Sequence, residues 1–211
     1  MSAKFFIGRN GVVALAALAL AAVAAAVFYA RSPELGKSDR CSAGSEALAR
    51  KLAPLAHGEM AALQVTPRRP PELAFKSPSG TPLTLADFKG RALVLNLWAT
   101  WCVPCRAEMP ALDHLQAEAG NKDFEVVAVD VDTARLERAP VFLDGIGVKA
   151  LARYADPSGD LLEKLRVSGT ALGLPTSLLI DKEGCQLGAV AGAAKWDSED
   201  ALATVKALAG G

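Results

Sequence analysis

Two cysteines separated by two residues, in Trp101-Cys102-Val103-Pro104-Cys105, can close into a disulfide and open again. Thiol-disulfide exchange is the chemistry this spacing favours. Residues 92–98 (ALVLNLW) are apolar apart from Asn96 and fit a buried strand, while 106–120 carry helix formers with Met109, Leu112 and Leu115 on one stripe. The pair therefore falls at a strand-to-helix turn. There the unpaired helix N–H groups and the positive end of the dipole favour a thiolate, so Cys102, the more exposed position of such a turn, is the expected low-pKa attacking sulfur. Cys105, a turn deeper, is the expected resolving sulfur. Cys102 would attack a partner's disulfide, and Cys105 would then attack the mixed disulfide, releasing a reduced partner and leaving Cys102 and Cys105 oxidised. Neither step needs a metal or a cofactor. Val103 and Pro104 set the helix start, where proline's missing N–H would have no partner anyway.

The competing reading of CxxC is half of a zinc site. Against it, the sequence has no second CxxC, Cys41 and Cys185 stand alone, and the two histidines, His57 and His114, read as ordinary helix residues. A third reading is a copper-binding module with Cys102 and Cys105 as ligands. Once the motif closes, Cys41 and Cys185 are the pair left over, 144 residues apart. Bonded, they would staple the amino-terminal segment to the carboxyl part of the fold; two free buried thiols are the other reading.

Lys4 and Arg9 precede an uncharged stretch, 11–30, whose length of about 20 residues can cross a hydrocarbon core of about 30 Å. The charges favour a cytoplasmic amino terminus with the rest of the chain on the far side, although Arg31 and Lys37 weaken the bias. A retained anchor over 1–30 is the preferred reading, a cleaved signal peptide the second, and both imply export. The chain beyond residue 30 is long enough for one sizeable core. Lysine plus arginine and aspartate plus glutamate balance at 23 each, so nothing points to nucleic acid.

Several elements must position the motif. Residues 42–63 read as a helix bent at Pro54, and 68–71 (RRPP) as an extended connector. Two short strands at 73–75 and 81–83 and a helical turn at 85–88 precede the central strand. After the motif helix come a strand at 124–131, a helix at 135–143 containing Pro140, a helical stretch at 161–165, and strands at 176–180 and 185–191 around the turn Asp181-Lys182-Glu183-Gly184. An amphipathic helix at 198–208 closes the chain. This α/β order with a terminal hairpin predicts a mixed sheet with helices on both faces.

Residues 96–110 (NLWATWCVPCRAEMP), Gly173-Leu174-Pro175-Thr176 and the 181–184 hairpin resemble the thioredoxin superfamily, and within it the membrane-anchored periplasmic thiol-disulfide proteins related to the cytochrome c maturation reductases. The similarity covers about 73–208. It implies a thioredoxin-like fold, a central mixed sheet flanked by helices, over 71–211, with an amino-terminal helical extension in 31–70 and a central strand-helix insertion. By the same resemblance, Pro175 follows a cis Leu174-Pro175 bond facing the disulfide, and Trp101 offers a contact surface beside the active sulfur. Asn96 lies where thioredoxin has a buried aspartate. Glu108 matches the acidic residue common to the exported reductants, one turn beyond Cys105, close enough to influence its deprotonation. The implied function is a periplasmic reductant held in the bacterial inner membrane and recharged by a membrane electron donor. Its implied clients are a copper chaperone and the copper-binding subunit of a respiratory oxidase, with apocytochrome c as the alternative. The direction of electron flow rests on this resemblance, because spacing alone does not set a potential.

Overall fold

The computed structural model describes residues 40–210. The expected anchor over 1–30 lies outside them; among the described residues no helix is long and apolar enough to cross a membrane. Eight strands form one sheet: β1 (Leu63–Arg68), β2 (Ala74–Lys76), β3 (Pro82–Thr84), β4 (Ala92–Trp98), β5 (Phe124–Asp130), β6 (Tyr154–Ala155), β7 (Thr176–Ile180) and β8 (Gln186–Ala191). Their spatial order is β1-β8-β7-β4-β5-β6-β2-β3. β4 runs parallel to β5 and antiparallel to β7, and β5 runs parallel to β6. Every residue of β4 is buried, as a strand paired on both edges and covered on both faces requires. The helices are α1 (Ala43–Leu52), α2 (Val103–Ala119), α3 (Arg138–Gly145), α4 (Asp160–Val167) and α5 (Glu199–Ala209). Helix α5 packs against both α1 and α2.

The amino-terminal segment departs from the sequence reading. Helix α1 ends at Leu52, two single turns come next at Ala53–Leu55 and Gly58–Met60, and the chain then enters strand β1 where a helix end and a connector were expected. Pro67 concealed this strand, because proline cannot donate to a ladder. The fold tolerates it because β1 is the outermost strand and its register slips between Val65 and Arg68. Across from it, a Cβ on Gly188 would lie 2.8 Å from the Gln64 carbonyl oxygen, so this close approach needs glycine.

The insertion runs helix first, α3, and then the two-residue β6. Pro140 sits in the first turn of α3, where a missing N–H costs little, so it does not break the helix. The loop after α3 is tied to the motif helix by one side chain. The Asp113 carboxylate accepts N–H bonds from Lys149, Ala150 and Leu151 at 2.7 to 3.1 Å to its Oδ1 atom.

At the far edge, the β7–β8 turn is wound on Asp181, whose Oδ1 accepts the N–H groups of Glu183 and Cys185 at 2.9 and 2.8 Å, with Gly184 at φ +82°. That turn presents Cys185 to Cys41, and the two are bonded. A link across 144 residues removes freedom mainly from the unfolded chain, a stabilisation of about 3 to 5 kcal/mol. The double replacement Cys41→Ala with Cys185→Ala should therefore lower the denaturation midpoint substantially while leaving Cys102 and Cys105 able to close. Urea unfolding with thiol counting by mass spectrometry checks both halves of this expectation.

Candidate active site

The second disulfide joins Cys102 and Cys105 at the start of α2. Cys102 is the N-cap: its backbone is extended (φ −85°, ψ 103°), and its Sγ accepts the Cys105 N–H at 3.2 Å. One of the helix's unpaired N–H groups is thus aimed at the sulfur that would carry negative charge after reduction. Pro104 occupies the second helical position, where it forfeits nothing. Both cysteines are buried in this oxidised state, Cys102 at 5% exposure and Cys105 at 0%. The difference in access lies beside them: Trp101 is 65% exposed and Val103 73%, so the rim of the disulfide is apolar and open to a partner.

On the inner side lies a polar cluster that no single residue reveals. Asn96 is the one polar side chain of fully buried β4, and its Nδ2 donates to Glu108 Oε1 at 2.8 Å and to Ser177 Oγ at 2.9 Å. Glu108 Oε2 accepts the Ala194 N–H at 3.2 Å. The buried Trp196 indole N–H, which has no other partner, faces the same carboxylate. Burial dominates over these donors and lifts the Glu108 pKa to about 7. Glu108 is therefore a buried acid on the helix that carries the disulfide, one turn past Cys105, and not a solvated surface carboxylate. An open groove of about 560 Å³ between α2 and residues 193–197 is lined in part by this residue.

The Leu174-Pro175 bond is cis, and it directly precedes Thr176, which pairs with Leu97 near the end of β4. Pro175 sits immediately before β7, and its carbonyl accepts the Gly192 N–H at 2.9 Å. The exposed Leu172 stands in the same loop. The insertion also touches the site: the Phe142 ring packs on Trp98 at 6.0 Å between centroids, and the Arg106 guanidinium lies 4.8 Å over it. Sequence reasoning left Ser177, Trp196 and Phe142 unremarked, because each acquires its role only through a contact distant in sequence. His57 and His114 lie apart from the disulfide, and among the described residues no three His, Cys, Asp or Glu side chains cluster as a metal site.

A closed CxxC disulfide at a helix start, on a central mixed sheet whose strand β7 begins just after a cis proline, defines a thioredoxin-like thiol-disulfide centre. The sequence profile of the Redoxin family matches residues 67–204, and the chain belongs to this family. It is 34% identical over 117 residues to the thioredoxin-like protein YneN of Bacillus subtilis, covering 54% of this chain and 64% of that protein. It is 35% identical over 105 residues to the thiol-disulfide oxidoreductase ResA of Bacillus thuringiensis, covering 50% and 57%. The match thus spans less than two thirds of these relatives' length. Among solved structures, a protein of Chlorobium tepidum provisionally assigned as the thiol:disulfide interchange protein DsbE superposes with a TM-score of 0.56 at 32% identity, covering 67% of this chain and 95% of that one.

The buried acids make stability depend on pH. Asp130, at the end of β5, is also lifted to about 7, chiefly by burial and by the charge of Asp132. Both groups bind protons more tightly in the folded than in the unfolded chain, so their contribution to stability is full below about pH 4 and is lost as pH rises through 7. For Glu108, the rise from 4.5 to about 7 corresponds to a loss on the order of 3 kcal/mol. Urea unfolding at pH 5 and pH 8 should show the drop in the native sequence and a smaller one in Glu108→Gln. Equal drops in both proteins would show that Glu108 is not a buried acid.

Proposed function

We propose that this protein is an exported dithiol reductant of protein disulfides. The observation that carries the reading is the Cys102 sulfur held at the N-cap of α2 beneath an open apolar rim, with the Glu108 carboxyl on the same helix. In the reduced protein, the Cys102 thiolate attacks one sulfur of the client's disulfide. A bond forms from Cys102 Sγ to that sulfur, and the client's second sulfur leaves as a thiolate and takes a proton. Cys105 gives its proton toward Glu108 and attacks Cys102 Sγ. The client departs as a dithiol, the Cys102–Cys105 bond closes, and two electrons have passed to the client. A group with a pKa of about 7 can accept a thiol proton and release it to solvent near neutral pH. Trp101 and the Leu174-Pro175 loop provide the surface against which the client lies.

Export and an inner-membrane anchor over 11–30 belong to the same proposal. The bonded Cys41–Cys185 pair supports export, because such bonds persist in oxidising compartments. Re-reduction is assigned to a membrane electron donor. For the clients we propose paired copper-ligand cysteines of a copper chaperone and a respiratory oxidase subunit, a choice that rests on the resemblance of the 96–110 and 173–176 stretches. Apocytochrome c with its CxxCH motif is the competing client. A copper-binding module using the opened Cys102 and Cys105 as ligands is the alternative of another class, and it predicts no mixed disulfide with a client.

The deciding experiment combines the potential of the pair with trapping. A reductant should have a potential near thioredoxin's, about −270 mV, and a value near −120 mV would make the protein an oxidant. Cys105→Ser should accumulate a mixed disulfide through Cys102 with its client, and Cys102→Ser should not. Offering an oxidised copper-site protein and an oxidised CxxCH peptide in competition identifies the client by which is trapped faster. If Cys105→Ser traps neither, the reductant reading is wrong.

A further inference from the structure

We propose that Asp132 is a positioning residue for the exchange pair: its carboxylate holds the Thr100 N–H and so fixes the loop that delivers Cys102 to the start of α2. Asp132 Oδ2 accepts this N–H at 3.0 Å, and the side chain is 3% exposed. The acceptor is itself anchored. The Asp132 N–H donates to Asp130 Oδ1 at 3.1 Å, and the Val131 N–H donates to the Trp98 carbonyl at 2.9 Å, so the end of β5 is sewn to the end of β4 just before the loop departs.

The Cys102 N–H closes a turn on the Ala99 carbonyl at 3.1 Å, and the Cys102 carbonyl accepts the Arg106 N–H at 3.1 Å. Trp101, between Thr100 and Cys102, is 65% exposed, and Asp132 is the side chain that holds the Thr100 N–H. While the disulfide is closed, the Cys102 side chain is also tied to Cys105. When it opens, that link is lost, and the placement of Cys102 Sγ over the Cys105 N–H depends on the backbone that precedes it. A brace on Thr100 therefore matters more to the reduced than to the oxidised protein. Removing it should disfavour the dithiol and reduce the helix start's support of the Cys102 thiolate.

The inference rests on Cys102 and Cys105 being the exchange pair, but its readouts need no client: the equilibrium of the pair with glutathione, and the alkylation rate of Cys102 in the reduced protein. Asp132→Ala should shift the equilibrium toward the disulfide by up to about tenfold and slow alkylation by a similar factor. Asp132→Asn, which keeps an oxygen for the Thr100 N–H, should stay within about threefold of the native protein on both. Asp156→Ala is the control. Asp156 is as deeply buried, but its carboxylate serves Ser158 and Leu161 away from the loop, so its loss should lower stability and leave both readouts unmoved. If Asp132→Ala matches the native protein, if Asp132→Asn fails as badly as Asp132→Ala, or if Asp156→Ala produces the same shifts, the proposal falls. Should Asp132→Ala not fold, amide exchange in the native reduced protein decides: Thr100 should exchange at least about tenfold more slowly than in unstructured chain, and unprotected exchange overturns the brace. Failure of the native protein to reduce any client would refute the proposed function and leave these readouts interpretable.

Discussion

Strand β4 is buried along its whole length, and it carries one side chain that must make hydrogen bonds. Burying an amide without partners costs several kcal/mol, so Asn96 dictates what surrounds it. Its two donors reach β7 through Ser177 and α2 through Glu108, linking three elements that converge on the disulfide. The carboxylate in turn holds the 193–197 segment through Ala194. The helix that carries the cysteines is therefore seated on the sheet by a polar contact with one geometry, where apolar packing alone would permit sliding. The same contact holds a buried titratable group on the helix that carries the cysteines, so seating and acidity come from one arrangement.

The chemistry around the sulfurs is divided by direction. Outward are Trp101 and Val103, which offer area and no charge. Inward are Asn96, Glu108, Ser177 and Trp196, a buried polar group gathered about one carboxyl. The open rim and the buried polar groups are thus separate, and the groove lined in part by Glu108 lies between α2 and residues 193–197.

Much of this was legible in the sequence where the signal is local. The ALVLNLW run, the CxxC at a helix start and the DKEG turn announce themselves within a few residues, because burial on both faces, capping and left-handed turns each act over short range. Glu108 was legible as a residue and not as an environment: its depth is set by Asn96 and Ala194, 12 and 86 residues away. Strand β1 was illegible because Pro67 argues locally against a strand, and only its place at the sheet edge makes the proline harmless. Asp132 reads as one more acidic residue in VDVD, and nothing short of the parallel register of β4 and β5 brings it to Thr100.

The insertion is fastened in an unusually economical way. Asp113 gathers three successive backbone N–H groups of its loop, Phe142 rests on Trp98 and Arg106, and the strand it adds to the sheet is two residues long. Its short strand is nevertheless a joint of the sheet, since β6 lies between β5 and β2 and Tyr154 donates to Glu125 and packs on Phe75 and Phe88. Variation for a new partner is therefore cheaper on the outer face of α3, where Val141 is exposed, than on β6, whose loss would part β2 and β3 from the rest of the sheet.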